Sequence, residues 1–234
     1  MTAPEIKKRL RQFATSEKAR VLQGFFKTGP GEYGEGDLFL GVVAPDIRRV
    51  AKEFQDTPLR EIKIILASRR HEERLLALLM LVRQYAKGNE ALKKRIYGLY
   101  LKSTRYINNW DLVDLSAPNI IGTYLLDKSR KPLYAFAKSK DLWKRRIAIV
   151  STFTFIRRNV FDDTLRISKI LLKDDHDLLH KAVGWMLREI GKRDLRAEER
   201  FLKRHYKKMP RTMLRYAIER FPEGKRRDYL DGKA

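Results

Sequence analysis

The sequence predicts an all-α chain built from stacked helix pairs. Three observations carry that prediction: apolar residues recur at helical spacing throughout, no pair of alternating strands appears, and the chain resembles itself at a fixed period.

The elements follow in order. The opening MTAPEIKKRLRQF lacks the apolar segment of a signal peptide and reads as an amphipathic helix, the first of an N-terminal pair over 1–27. Pro45 begins a helix over 45–55, with Ile47, Val50, Ala51 and Phe54 on one stripe. Leu59, Ile62, Ile65 and Leu66 repeat the pattern over 58–69. Further helical stretches cover 72–87, 90–106, 109–126, 131–138, 142–157, 162–173, 177–192, 196–207 and 211–220, separated by short breaks rich in Asn, Asp, Gly or Pro. Between the N-terminal pair and these helices lies TGPGEYGEGDL (28–38), whose four glycines and one proline favour a flexible linker. It lacks the GK[ST] ending of a phosphate-binding loop. Residues 222–234 are expected to be a C-terminal tail.

Arg74, Trp110, Arg146 and Lys181 each open an apolar helix, at intervals of 36, 36 and 35 residues, and Arg211 opens a shorter echo. Helix pairs at that period are the mark of a HEAT-like solenoid. The expectation is one all-α domain over 1–234: capping helices 1–27, the glycine-rich loop 28–38, repeats over 39–221 and the tail. The repeats would present a concave basic face suited to a cylindrical ligand.

Charge narrows the partner. Fifty-two Lys and Arg stand against 29 Asp and Glu, a formal net charge of +23 with a pI near 10.2. Self-repulsion of that size opposes compaction, and a polyanion relieves it. Hydrophobic residues make up 43% of the chain, enough for a sizeable core. The absence of cysteine excludes disulfides, thiolate metal ligands and cysteine nucleophiles. No apolar run approaches the roughly 20 residues of a membrane span, so a soluble cytoplasmic, nucleoid-associated protein is expected.

The stretch NNWDLVD (108–114) is the most informative. Trp110 and Asp114 lie four residues apart and project from one helical face, whereas Asp111 is turned away and reads as structural. An indole beside a carboxylate suits a cleft where an aromatic surface meets a sugar or base and an anion meets developing positive charge. The same spacing also fits a core tryptophan with a paired aspartate. Trp143 with Arg146, and Trp185 with Lys181, each place an aromatic and a cation on one helical side. Arg146 equally suits packing between repeats. His176 and His180 have metal-ligand spacing but no third ligand in a zinc pattern, and read as a surface pair.

With these residues in view, the sequence resembles the AlkD-like DNA alkylation repair glycosylases, a family built from HEAT-like repeats. The matching segments are LFLGVVAPDIRR (38–49), NNWDLVD (108–114), LWKRRIAI (142–149) and KAVGWMLREIGK (181–192), in family order. The resemblance implies a monofunctional glycosylase that removes N3- and N7-alkylated purines from double-stranded DNA as a monomer, with neither metal nor cofactor. It implies Asp114 as the catalytic carboxylate, Trp110 and Trp185 as the aromatic lining of the lesion site, and Arg146 and Arg48 as backbone contacts. Val43 and Ala44 depart from more polar versions of the pattern, which leaves that loop its backbone groups for contact. The glycine-rich 28–36 segment looks like an insertion. Two other readings stay open: a non-catalytic HEAT-repeat scaffold for nucleic acid, and a solenoid for acidic proteins.

Overall fold

The computed structural model describes residues 1–234, and its only regular elements are helices; the one extended pairing is an isolated parallel bridge between Leu38 and Arg70. The helices gather into two compact units, Met1–Ile120 and Ile121–Ala234. The division falls inside the turn of π-helix at Pro118–Gly122, where Ile120 and Ile121 are buried.

The first unit comprises α1 (Ala3–Arg11), α2 (Ser16–Phe25), α3 (Ala44–Glu53), α4 (Leu59–Leu66), α5 (His71–Lys87), α6 (Glu90–Lys102) and α7 (Trp110–Ala117). The second comprises α8 (Lys131–Ala137), α9 (Leu142–Ser151), α10 (Phe153–Arg157), α11 (Asp162–Ile170), α12 (Asp177–Gly191), α13 (Leu195–His205), α14 (Arg211–Ala217) and α15 (Glu223–Leu230). The last helix corrects the expected tail. Tyr229 is buried against Phe221 and Tyr206, and that aromatic contact holds the segment down.

Side-chain caps set several helix starts. Asn109 accepts from the Trp110 amide, Asp141 from Trp143 and Lys144, and Asp194 from Ala197. Apolar stripes then bury Ile62, Ile65 and Leu66 of α4 against α5, and Val183, Met186 and Leu187 in the core around α12. Where α12 meets α14 the backbones come so close that a Cβ on Gly184 would lie 2.4 Å from the Met213 carbonyl. Glycine is required there because any side chain would push the two helices apart.

The 28–38 segment is more than a linker. It closes on itself through turns, then buries Asp37 at the head of α5, while the Leu38 carbonyl accepts from the His71 amide at 2.9 Å. The glycines disguise this, because flexibility in composition does not report what a single anchored residue at the end of the segment does.

Candidate active site

The first turn of α5 reads His71-Glu72-Glu73-Arg74, and all four side chains are buried. Burying ionised groups in a row is costly unless each is paired and hydrogen-bonded. Here each is. Glu72 accepts from the amides of Leu40, Gly41 and Val42. Glu73 takes Lys7, Arg11 and the Ser68 hydroxyl. Burial works against its charge, but those three partners outweigh it and hold the carboxyl below its ordinary value. Arg74 donates to Asp37 and to the Ser68 carbonyl.

His71 makes the junction with α7. Its Nδ1 lies 2.9 Å from Asp37 Oδ2 and its Nε2 lies 2.8 Å from Asp111 Oδ2. Asp111 also accepts from the Leu112 amide, so this residue is structural, as its side of the helix suggests. The imidazole is flanked by Phe26 and Phe39, with ring centres 4.8 and 4.6 Å away. Desolvation opposes its charge, yet Asp111 and Asp37 more than compensate and raise its pKa from 6.5 to about 9. Asp37 is held low in the same exchange: burial pushes it up, while His71 and Arg74 pull it further down.

Trp110 stands on this base. It stacks on Phe26 at 5.3 Å and 21°, meets the edge of the exposed Phe25 at 6.0 Å, and donates its indole N–H to the Tyr33 hydroxyl at 3.3 Å. One turn along α7, Asp114 is half-buried like Trp110 itself. Its charge reaches Tyr100, whose phenol is pushed above its ordinary value chiefly by burial and further by the Asp114 carboxylate. Arg48 lies exposed on α3 of the same unit.

The second unit carries the other residues expected at a site. Trp185 of α12 is half-buried, 5.6 Å from Phe153, and donates its indole N–H to Glu189 Oε1 at 3.2 Å. Arg146 of α9 is only 5% exposed, and its guanidinium donates to the Leu178 carbonyl at 2.6 Å, a contact that packs α9 against the head of α12. Trp143 is half-buried beside the Asp141 cap. His176 accepts from the Leu178 amide, and His180 bonds the Asp174 carbonyl, so both rings are engaged at the start of α12.

The sequence reading missed two features. The buried HEER turn was legible only as an odd signal, four ionisable residues in a row heading an apolar helix. The Trp185/Glu189 pair repeats the four-residue spacing of Trp110 and Asp114, which a search for that spacing would have found.

The family model for DNA alkylation repair enzymes matches residues 6–221. No curated protein matches the sequence. Among solved structures, that of a predicted DNA alkylation repair enzyme from Enterococcus faecalis superposes with a TM-score of 0.72, covering 90% of this chain and 97% of the other at 17% identity. At that identity the likeness speaks for the fold. No helix is long and apolar enough to cross a membrane.

Proposed function

The chain belongs to the DNA alkylation repair enzyme family, and from that premise we propose that it is a monofunctional DNA glycosylase hydrolysing the N-glycosidic bond of N3- and N7-alkylated purines in duplex DNA. The observation that carries the reading is the division of labour on α7. Asp111 is consumed by His71, while Trp110 and Asp114 remain half-exposed one turn apart.

Alkylation at N3 or N7 leaves the purine cationic, so the leaving group is already activated and no strong general acid is needed. The reaction needs negative charge beside the deoxyribose as oxocarbenium character grows, and a water directed at C1′. Asp114 serves both needs, accepting the proton of that water as its oxygen bonds to the sugar. The base departs with the electron pair of the broken C–N bond. Trp110 and Trp185 offer electron-rich faces to the cationic base and sugar, an attraction of roughly 0.5–2 kcal/mol each. Arg48 takes a backbone phosphate. Arg146 is assigned a second phosphate contact in addition to its packing on Leu178. The HEAT-like repeat reading and action on the duplex as a monomer belong to the same proposal.

The test is release of free 7-methylguanine from methylated duplex, comparing wild type with Asp114→Asn. Release by the wild type and its loss in a variant that still binds duplex are expected. A wild type that binds methylated duplex at every salt concentration yet frees no base overturns the proposal and leaves the binding scaffold.

A further inference from the structure

The buried cluster at the head of α5 uses more ionisable groups than packing needs, and its wiring leads to Trp110. Three charged groups face the His71 ring: Asp37 from the glycine-rich segment, Asp111 from α7, and Arg74, one turn along α5, which reaches the ring through Asp37. Phe26 and Phe39 flank the ring and are uncharged, Asn109 at the head of α7 donates to Asp37 at 3.4 Å, and Glu72 and Glu73 are turned to other partners.

Both carboxylates accept hydrogen bonds, so both ring nitrogens must donate. A neutral imidazole has only one N–H, and only the imidazolium can hold Asp37 and Asp111 together. The Asp37 bond fastens the segment that carries Tyr33, and the ring itself seats Phe26. Tyr33 takes the Trp110 N–H, and Phe26 is the surface on which the indole lies. The Asp111 bond fixes the first turn of α7, from which Trp110 projects. The Phe25, Phe26 and Tyr33 contacts of the Trp110 indole thus come from one stretch of chain, and the last two depend on parts that His71 seats or fastens.

We propose that His71 is a positioning residue, a buried cationic clasp that joins the glycine-rich segment to α7 and sets the plane of the Trp110 indole. The functional consequence rests on the reading of Trp110 as part of the lesion-binding surface; the structural one does not. Deprotonation of the ring breaks one of the two bonds and turns a donor–acceptor contact into a contact of two acceptors. With the ring's pKa near 9, the clasp is closed at neutral pH and opens on alkalinisation.

The experiment reads Trp110 directly. Near-ultraviolet dichroism and indole emission of the wild type, less those of Trp110→Phe, are followed from neutral pH to just above 9, with His71 protonation tracked by NMR of its ring. The Trp110 signal is expected to change in step with His71 while far-ultraviolet dichroism stays constant. A Trp110 signal that is flat through the His71 titration, or a His71 ring that is neutral at neutral pH, overturns the proposal without any variant having to fold. His71→Gln, which can donate only to one side, is then expected to show the alkaline Trp110 signal at neutral pH. Single-turnover base release is expected to fall roughly 10- to 100-fold, with affinity for unmodified duplex retained. A folded His71→Gln with wild-type Trp110 signal refutes the clasp. A moved signal with no base release from the wild type itself leaves the clasp standing and removes the glycosylase reading instead.

Discussion

Two helices of this protein, one in each compact unit, place a tryptophan four residues before a carboxylate, and the structure uses the two pairs differently. In α12 the Trp185 indole donates to its own Glu189, which also takes Lys192 at 2.6 Å and lies 3.6 Å from Arg188. That carboxylate is engaged in a local ionic group. In α7 the Trp110 indole turns instead to Tyr33, a residue from the glycine-rich segment, and its surroundings are aromatic. Identical spacing therefore sends the indole N–H to the carboxylate one turn on in one helix and to a distant tyrosine in the other.

The sharpest way to break this comparison is to neutralise the two acids in turn. Asp114→Asn is expected to lower single-turnover release of methylated purine about 100-fold or more, and Glu189→Gln by less than about tenfold, measured as free base by chromatography. Equal losses would erase the distinction between the two helices.

The next largest effect separates the units by stability. Gly184→Ala places a methyl against the Met213 carbonyl and Tyr216, and overpacking of this kind costs about 1–3 kcal/mol. Thermal unfolding should show the loss, and hydrogen exchange should confine it to Ile121–Ala234 if the units open independently.

Each unit also buries a titratable group, and the two set different pH windows. His71 has a folded-state pKa raised from 6.5 to about 9, so its stabilisation is complete below 6.5 and is lost as pH rises through about 9. Glu198 of the second unit is pushed up from 4.5 to about 8 by burial, which Arg188 and Lys225 only partly oppose. The folded state then holds a proton that the unfolded chain has released, and stability falls as pH rises from 4.5 towards 8. Glu198→Gln should flatten the melting-temperature profile across that lower window and leave the higher one intact.

The last pair of effects distinguishes the two arginines. Arg48→Ala should reduce the salt slope of duplex binding by about one unit with no change in melting temperature. Arg146→Ala removes a buried donor from the Leu178 carbonyl and should cost about 1–3 kcal/mol of stability, whatever it does to the slope. A wild-type melting temperature for Arg146→Ala would mean that its packing contact is dispensable.

The sequence by itself determined the helices and the character of the chain. Apolar positions recurring every three or four residues place α3, α4, α5 and α12 within three residues of where they lie, because local periodicity fixes which face is buried. Charge indicated the partner class, and the Trp110/Asp114 spacing with Asp111 turned away was readable from helical geometry alone. Only the tertiary structure decided the rest. It brought Asp37 and Asp111, 34 and 40 residues from His71, onto one imidazole, and it turned a glycine-rich stretch into the partner of an indole. It also buried Arg146, and it broke the chain into two units within the turn at Pro118–Gly122. These outcomes depend on contacts between residues far apart in sequence, where desolvation and pairing set the energy, and no local pattern records which distant group will meet a buried charge.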